Sequence, residues 1–176
     1  MKMRYALHHL NIPYYTKHFT KIRKYVSRNY NLVGVDPGTQ NLLAFRDIEN
    51  GEIDCFNNKW NRKLKVKDPR LKNLREDIFD TFGEKSVLCI GDGGCNKINF
   101  NMVEYLNKHF PIYMVNEFRT SQYCHLCQHP VNLQKKSSHL KNFVICSNDE
   151  CRNICDKDGN AAKNILNKVL DNIDDS

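Results

Sequence analysis

No acidic side chain precedes Asp36, and no apolar run is long enough to cross a membrane. A spanning helix needs about 20 apolar residues, whereas the longest unbroken runs here are as short as Val87 to Ile90. The opening residues, MKMRYALHHLNIPYYTKHF, also lack the apolar stretch and small-residue cleavage site of a secretory leader. Without a leader, eight cysteines point to an intracellular, reducing compartment, nucleus and cytoplasm being equally open, where Cys pairs bind metal more often than they oxidise. A chain of 176 residues buries roughly 70% of its unfolded surface, enough for one core and a small satellite module without disulfides.

The scarcity of acids leaves the net charge of +7 unevenly spread. Lys2, Arg4, Lys17, Lys21, Arg23, Lys24 and Arg28 all precede Asp36. A second run, KWNRKLKVKDPRLKNLR, sets Lys59, Arg62, Lys63, Lys65, Lys67, Arg70, Lys72 and Arg75 against Asp68 alone. Patches of this kind attract a polyanion by counterion release, which makes nucleic acid the expected partner and the second run its expected contact. The competing reading is a solvated lysine-rich face.

Local patterns alternate along the chain. Leu32 to Val35 form a short apolar run stopped at Asp36-Pro37-Gly38, as a strand ends in a turn. NLLAFRDIENGEIDCF reads as two strands joined at Asn50-Gly51, a dipeptide suited to a hairpin turn. Leu71, Leu74, Ile78, Phe79 and Phe82 fall on one helix face. SVLCIGDGG is a buried strand, NMVEYLNKHF a helix with Met102, Val103, Leu106 and Phe110 on one side, and PIYMVNE a further strand. The order predicts an α/β fold with a mixed sheet flanked by helices.

Cysteines interrupt that order. Cys124-x-x-Cys127 is followed by Cys146 and Cys151, and two such knuckles supply the four soft ligands of a tetrahedral zinc. One structural zinc per chain is expected, closed to water and contributing on the order of 10 kcal/mol to folding of the module. Cys155 rivals Cys151 as the fourth ligand, and His125, His129 and His139 are weaker rivals; Cys55, Cys89 and Cys95 read as buried or unpaired thiols. Behind the second knuckle, DKDGNAAKNILNKVL is amphipathic through Ala161, Ala162, Ile165, Leu166 and Leu170. Asp158 there suits a helix N-cap, and Asp36 suits a turn.

Together, GVDPG at a strand end, the E-x-R-T-S lead-in to C-x-x-C, and DKDGNAAKNIL beyond the second knuckle resemble the nuclease core of the TnpB and Fanzor family of transposon-encoded, RNA-guided DNA endonucleases, and the Fanzor-like branch above all. The resemblance covers Leu32 to Leu170. It implies a RuvC-type, RNase H-like fold: a short basic segment over 1–30, a core over 31–119 and 156–170, a zinc-ribbon insert over 120–155 and an acidic tail over 171–176. It also implies a DNA endonuclease using two Mg²⁺ or Mn²⁺ ions. Asp36 would be the first catalytic carboxylate and Asp158 the last, with Asp156 its rival. In bacterial relatives the middle Glu stands at the end of the central strand, which here is Gly91; Glu117 is the expected replacement and Asp92 its rival. Relatives carry an arm of wedge and recognition modules ahead of the core that grips guide RNA and target DNA. Here Met1 to Tyr30 precede it, so the expectation is a truncated transposon-derived copy, with guide RNA a partner that such an arm would be needed to hold. The alternatives are a catalytically inactive nucleic-acid-binding remnant and a zinc-stapled interaction module.

Overall fold

Leu32 and Val33 leave opposite sides of strand β1 (Asn31–Pro37), and that alternation organises the molecule. The computed structural model describes residues 29–37, 41–46, 55–59, 68–92, 100–133 and 143–174. β1 pairs antiparallel with β2 (Asn41–Arg46), which pairs antiparallel with β3 (Cys55–Lys59). On its other side β1 runs parallel to β4 (Ser86–Gly91), and β4 runs parallel to β5 (Ile112–Val115). The result is a mixed five-stranded sheet in the order β3-β2-β1-β4-β5. The turn expected at Asn50-Gly51 lies outside the described residues.

Both faces of this sheet are covered. Val33, Val35, Leu88, Ile90, Ile112 and Met114 pack against α1 (Pro69–Phe82) and α2 (Phe100–Leu106), the helices supplying Leu71, Leu74, Ile78, Phe82, Met102, Val103 and Leu106. The opposite face, Leu32, Val87, Cys89 and Tyr113, packs against Ile165, Leu166 and Val169 of α3 (Lys157–Asp174). Period-2 strands and 3.6-period helices place these side chains without further instruction. α1 starts where Asp68 accepts from the Arg70 N–H and Pro69 takes the first turn, and it stops at Gly83, whose φ of 82° suits glycine. α2 is shorter than its apolar pattern: after Leu106, the N–H groups of Lys108 and His109 reach back three residues to Tyr105 and Leu106. That tightening ends the helix ahead of Pro111, which disfavours helical geometry in the residue before it.

The cysteine-bearing segment forms a separate three-stranded antiparallel sheet of β6 (Val131–Leu133), β7 (Phe143–Cys146) and β8 (Ile154–Asp156). β8 passes directly into α3, so this module and the main sheet share a helix. α3 continues to Asp174, beyond the end expected at Leu170. Neither Gly nor Pro interrupts Asp171-Asn172-Ile173-Asp174, and the acidic stretch prolongs the helix instead of leaving it as a tail.

Candidate functional site

Glycine brings α3 against the sheet. A Cβ on Gly34 would overlap the Ala162 carbonyl oxygen and crowd Leu166, so β1 and α3 meet backbone to backbone. Asp36 lies two residues farther along β1 and therefore leaves the strand on the same side as Gly34. Continuing the parallel register one step past the Val35–Ile90 pair sets Asp36 beside Gly91. Above Gly91 lies Glu117: its Oε2 is 3.0 Å, and its Cβ 3.3 Å, from where a Gly91 Cβ would stand. The Glu117 side chain thus fills space that a side chain at Gly91 would take, on the edge of the sheet where Asp36 stands.

Two neighbours hold Glu117 in this position. The buried Asp92 carboxylate accepts from the Glu117 N–H at 3.3 Å, and the Asp92 N–H donates to Val115 O at 2.8 Å. From α3, Lys168 Nζ donates to Asn116 O at 3.0 Å and Phe118 O at 2.8 Å, one carbonyl on each side of Glu117. Burial lowers the Lys168 pKa, while the charges of Asp92 and Glu117 oppose that shift. Sequence reasoning missed Lys168 because a lysine third from the end of an amphipathic stretch carries no signal of its own.

Asp156 and Asp158 divide their roles in a way the sequence did not specify. The Asp156 carboxylate accepts from the N–H groups of Asp158 and Gly159 at 3.0 and 2.9 Å and caps α3. Asp158 is therefore not the cap, contrary to the expectation from its position. It lies in the first turn, half-buried, one turn before Ala162, and its carboxyl pKa is raised by burial and by Asp156 against the opposing charge of Lys157.

Cys124, Cys127, Cys146 and Cys151 converge, their sulfurs all within 4.8 Å of one another. Cys124 and Cys151 are 3.9 Å apart, and Cys127 and Cys146 3.3 Å. Tetrahedral zinc with Zn–S bonds of about 2.3 Å implies S···S spacings near 3.8 Å, so the quartet fits a structural zinc. The knuckles repeat one backbone device: Gln128 and Arg152, each directly after the second cysteine of its knuckle, have φ of 58° and 47°, and their N–H groups close onto Cys124 O and Asn148 O. Backbone N–H groups also face the sulfurs. That of His129 leads in lowering the Cys127 thiol to about 6; at Cys124 burial pushes upward, and hydrogen bonds from the Cys127 and Leu126 N–H groups, the Asn153 side chain and Cys151 together bring the thiol down. Among the described residues this is the group of three or more His, Cys, Asp or Glu side chains gathered so closely; the carboxylates of Asp36, Glu117 and Asp158 stand farther apart. Cys155 lies outside the quartet, 3.5 Å from Asn153 Nδ2 and 3.7 Å from Asn160 Oδ1. His125 turns its ring toward Asn160 and Lys163, and His129 toward Cys127 O. Cys89 is buried, which pushes its thiol up to about 12. His139, Cys95 and the side chain of Cys55 lie outside the described residues.

An asparagine ladder joins the cysteine module to α3. Asn160 Nδ2 donates to Tyr123 O at 2.7 Å, Asn164 Nδ2 to Thr120 O at 2.8 Å and Tyr123 O at 2.7 Å, and Asn167 Nδ2 to His125 O at 2.8 Å. Asn160 Oδ1 accepts in return from the His125 N–H at 3.0 Å. Residues at i, i+4 and i+7 share one helix face, so the N-A-A-x-N spacing could have shown the ladder, had its polar positions been weighed like its apolar ones. Of the expected nucleic-acid contacts, Arg62, Lys63, Lys65, Lys67 and the side chain of Lys59 lie outside the described residues. Arg70 forms a 2.6 Å ion pair with Asp68, whose carboxyl it draws down to about 2.

Residues 101–165 match a protein-family model described as Cas12f1-like, TNB domain. The matched span holds Glu117, the four converging cysteines, Asp156 and Asp158, but neither Asp36 nor Asp92. Over that span the chain is similar to Cas12f1-like proteins, and the similarity points to a nucleic-acid-related role. No curated protein matches the chain. Among the described residues, no helix is long and apolar enough to cross a membrane.

Proposed function

We propose that the chain is the RuvC-type core of a metal-dependent DNA endonuclease of the TnpB and Fanzor kind, its cysteine module a zinc ribbon. The strand order β3-β2-β1-β4-β5 with β2 reversed, and α3 laid over β1, supports an RNase H-like fold. One observation carries the catalytic reading: the Glu117 side chain fills the space above Gly91, the β4 residue that follows the partner of Val35 and so falls level with Asp36 if the β1–β4 register continues. A carboxylate absent from the strand is thereby supplied from the next strand's end. Asp158, at the start of the helix that covers this edge, completes a set of oxygen donors of the kind Mg²⁺ or Mn²⁺ prefers.

Two divalent ions held by Asp36, Glu117 and Asp158 would activate water and neutralise charge on the leaving oxygen. The chain's own part is placement. Asp92 and Lys168 clamp the backbone around Glu117, and Asp156 takes over capping so that the Asp158 carboxylate need not. Carboxylates sharing one edge repel, by about 4 kcal/mol for a pair 4 Å apart at an effective dielectric of 20, and bound cations reverse that cost. DNA is the proposed substrate, and guide RNA would need an arm to hold it.

Cleavage of labelled single- and double-stranded DNA with Mg²⁺ or Mn²⁺ tests this reading. Asp36→Asn and Glu117→Gln should each abolish cutting, while Asp92→Asn should leave measurable activity. The reverse ranking of Glu117 and Asp92 would move the middle ligand to Asp92. A second reading, a binding remnant without turnover, draws on the matched span, which holds the knuckles and not Asp36. Zinc-loaded protein that binds DNA but never cuts it would favour that reading.

A further inference from the structure

The Phe118 ring is 66% exposed, yet the turn that carries it is held firmly. Its N–H donates to the Asn116 side-chain oxygen at 2.7 Å, and its carbonyl accepts from Lys168 at 2.8 Å. Arg119 follows with φ of 66°, a left-handed conformation uncommon for residues other than glycine. The Arg119 guanidinium lies 5.0 Å from the Phe118 ring centre and 6.0 Å from that of Tyr123, with Nη1 3.4 Å from the Tyr123 hydroxyl. Arg70 and Arg75 each pair with a carboxylate, whereas among the described residues Arg119 pairs with none. Beside this turn a shallow cleft of about 110 Å³ is lined by Thr120, Gln128, Asn164, Asn167 and Lys168, with Asp171 its one acidic residue.

We propose that Phe118 and Arg119 form a stacking site for one unpaired nucleobase, with Arg119 meeting an adjoining phosphate. A ring held out into water does nothing for the core, but its face suits the face of any base, and a guanidinium beside it suits the neighbouring phosphate. A chain of net charge +7 favours a polyanionic strand over an acidic or apolar peptide segment that lacks a base to stack. Phe118 directly follows Glu117, so a base stacked here leaves its backbone at the carboxylate edge. The inference rests on the nuclease reading only for that last point, the strand's destination.

The test uses the full zinc-loaded chain, without added Mg²⁺ or Mn²⁺, and a single-stranded DNA octamer carrying one 2-aminopurine. Wild type should quench the fluorophore on binding. Phe118→Ala should abolish the quench and weaken binding about tenfold, Phe118→Trp should restore both, and affinity for blunt duplex DNA should change less than about twofold. Arg119→Ala should reduce the salt slope by about one. A matched RNA octamer shows which strand chemistry the site takes. Binding and quench unchanged in Phe118→Ala, or absent in wild type, overturn the proposal. Cleavage in Mg²⁺ is scored separately: a Phe118-dependent quench in a protein that never cuts removes the nuclease reading alone, and cutting with a silent Phe118→Ala removes the stacking site alone.

Discussion

The main sheet and the cysteine module are built on opposite principles within one chain. The sheet buries aliphatic side chains on both faces, between α1 and α2 on one side and α3 on the other. The cysteine module buries little besides Val144, Cys124 and Cys146, and it leaves Leu126 and Ile154 exposed. Its hold on α3 is a ladder of amide hydrogen bonds. Hydrophobic burial is non-directional and tolerates local shifts, while thiolate coordination and amide hydrogen bonds depend on geometry. The two regions should therefore fail independently and for different reasons.

Removing the metal should divide them most sharply. A Cys124→Ser, Cys127→Ser double variant should carry no zinc, and residues 123–133 and 143–156 should lose hydrogen-exchange protection, because on the order of 10 kcal/mol of binding energy is forfeited. Leu88 and Ile90 in β4 should keep theirs. Equal loss in both regions would mean that they fold as one unit, and stoichiometric zinc retained in the double variant would rule out the quartet as its site.

Next in size is a blow to the sheet alone. Gly34→Ala should cost about 3 kcal/mol in denaturant unfolding, since its Cβ would meet the rigid Ala162 carbonyl. Gly91→Ala should cost less, about 2 kcal/mol, because the atoms it would meet first, Ile165 Cδ1 and Glu117 Oε2, are side-chain ends and no backbone atom, although the Glu117 Cβ stands 3.3 Å away. Equal costs at the two sites would show that α3 is free to slide.

Asn164→Ala strikes the joint between the regions. It leaves Thr120 O and Tyr123 O short of a donor and should cost about 2 kcal/mol. Combined with Asn160→Ala the losses should not add, since both amides serve the same two carbonyls. Double-mutant-cycle unfolding measures that coupling, and strict additivity would mean that the ladder is not a unit.

The smallest effect lies at the start of α1. Hydrogen bonds from the Arg70 guanidinium, and then its backbone N–H and charge, hold the Asp68 carboxyl at about 2. A depressed folded pKa adds stability above the unfolded value near 4, and that stability is lost as pH falls toward 2. The stability gap between Asp68 and Asp68→Asn should close over that window. Thermal melts in the double-cysteine variant, where zinc release plays no part, would show it; a gap independent of pH would leave only the cap's geometry.

Where neighbours along the chain suffice, the elements were legible: short apolar runs stopped by turn residues marked the strands of the main sheet, and the Leu71, Leu74, Ile78, Phe82 spacing marked α1, whereas the three short strands of the cysteine module carried no such signal. The cysteine spacing pointed to the four sulfurs that converge, because each knuckle is closed by its own backbone. Asp156 and Asp158 show where such reading stops. Both acids fit the start of α3, and capping fell to Asp156 because β8 ends there and its carboxylate faces the first turn's N–H groups.

By itself, the sequence determined which segments become strands and helices, which faces they bury and which thiols can meet, because periodicity and short loops act over a few residues at a time. Only the tertiary structure decided that Glu117 fills the space above Gly91, that Lys168 reaches across from α3 to hold it, and that three asparagines dock the cysteine module. Those contacts join residues 26 to 52 positions apart, and the register of β4 against β5 and the close approach of α3 at Gly34 set them, neither of which local pattern specifies.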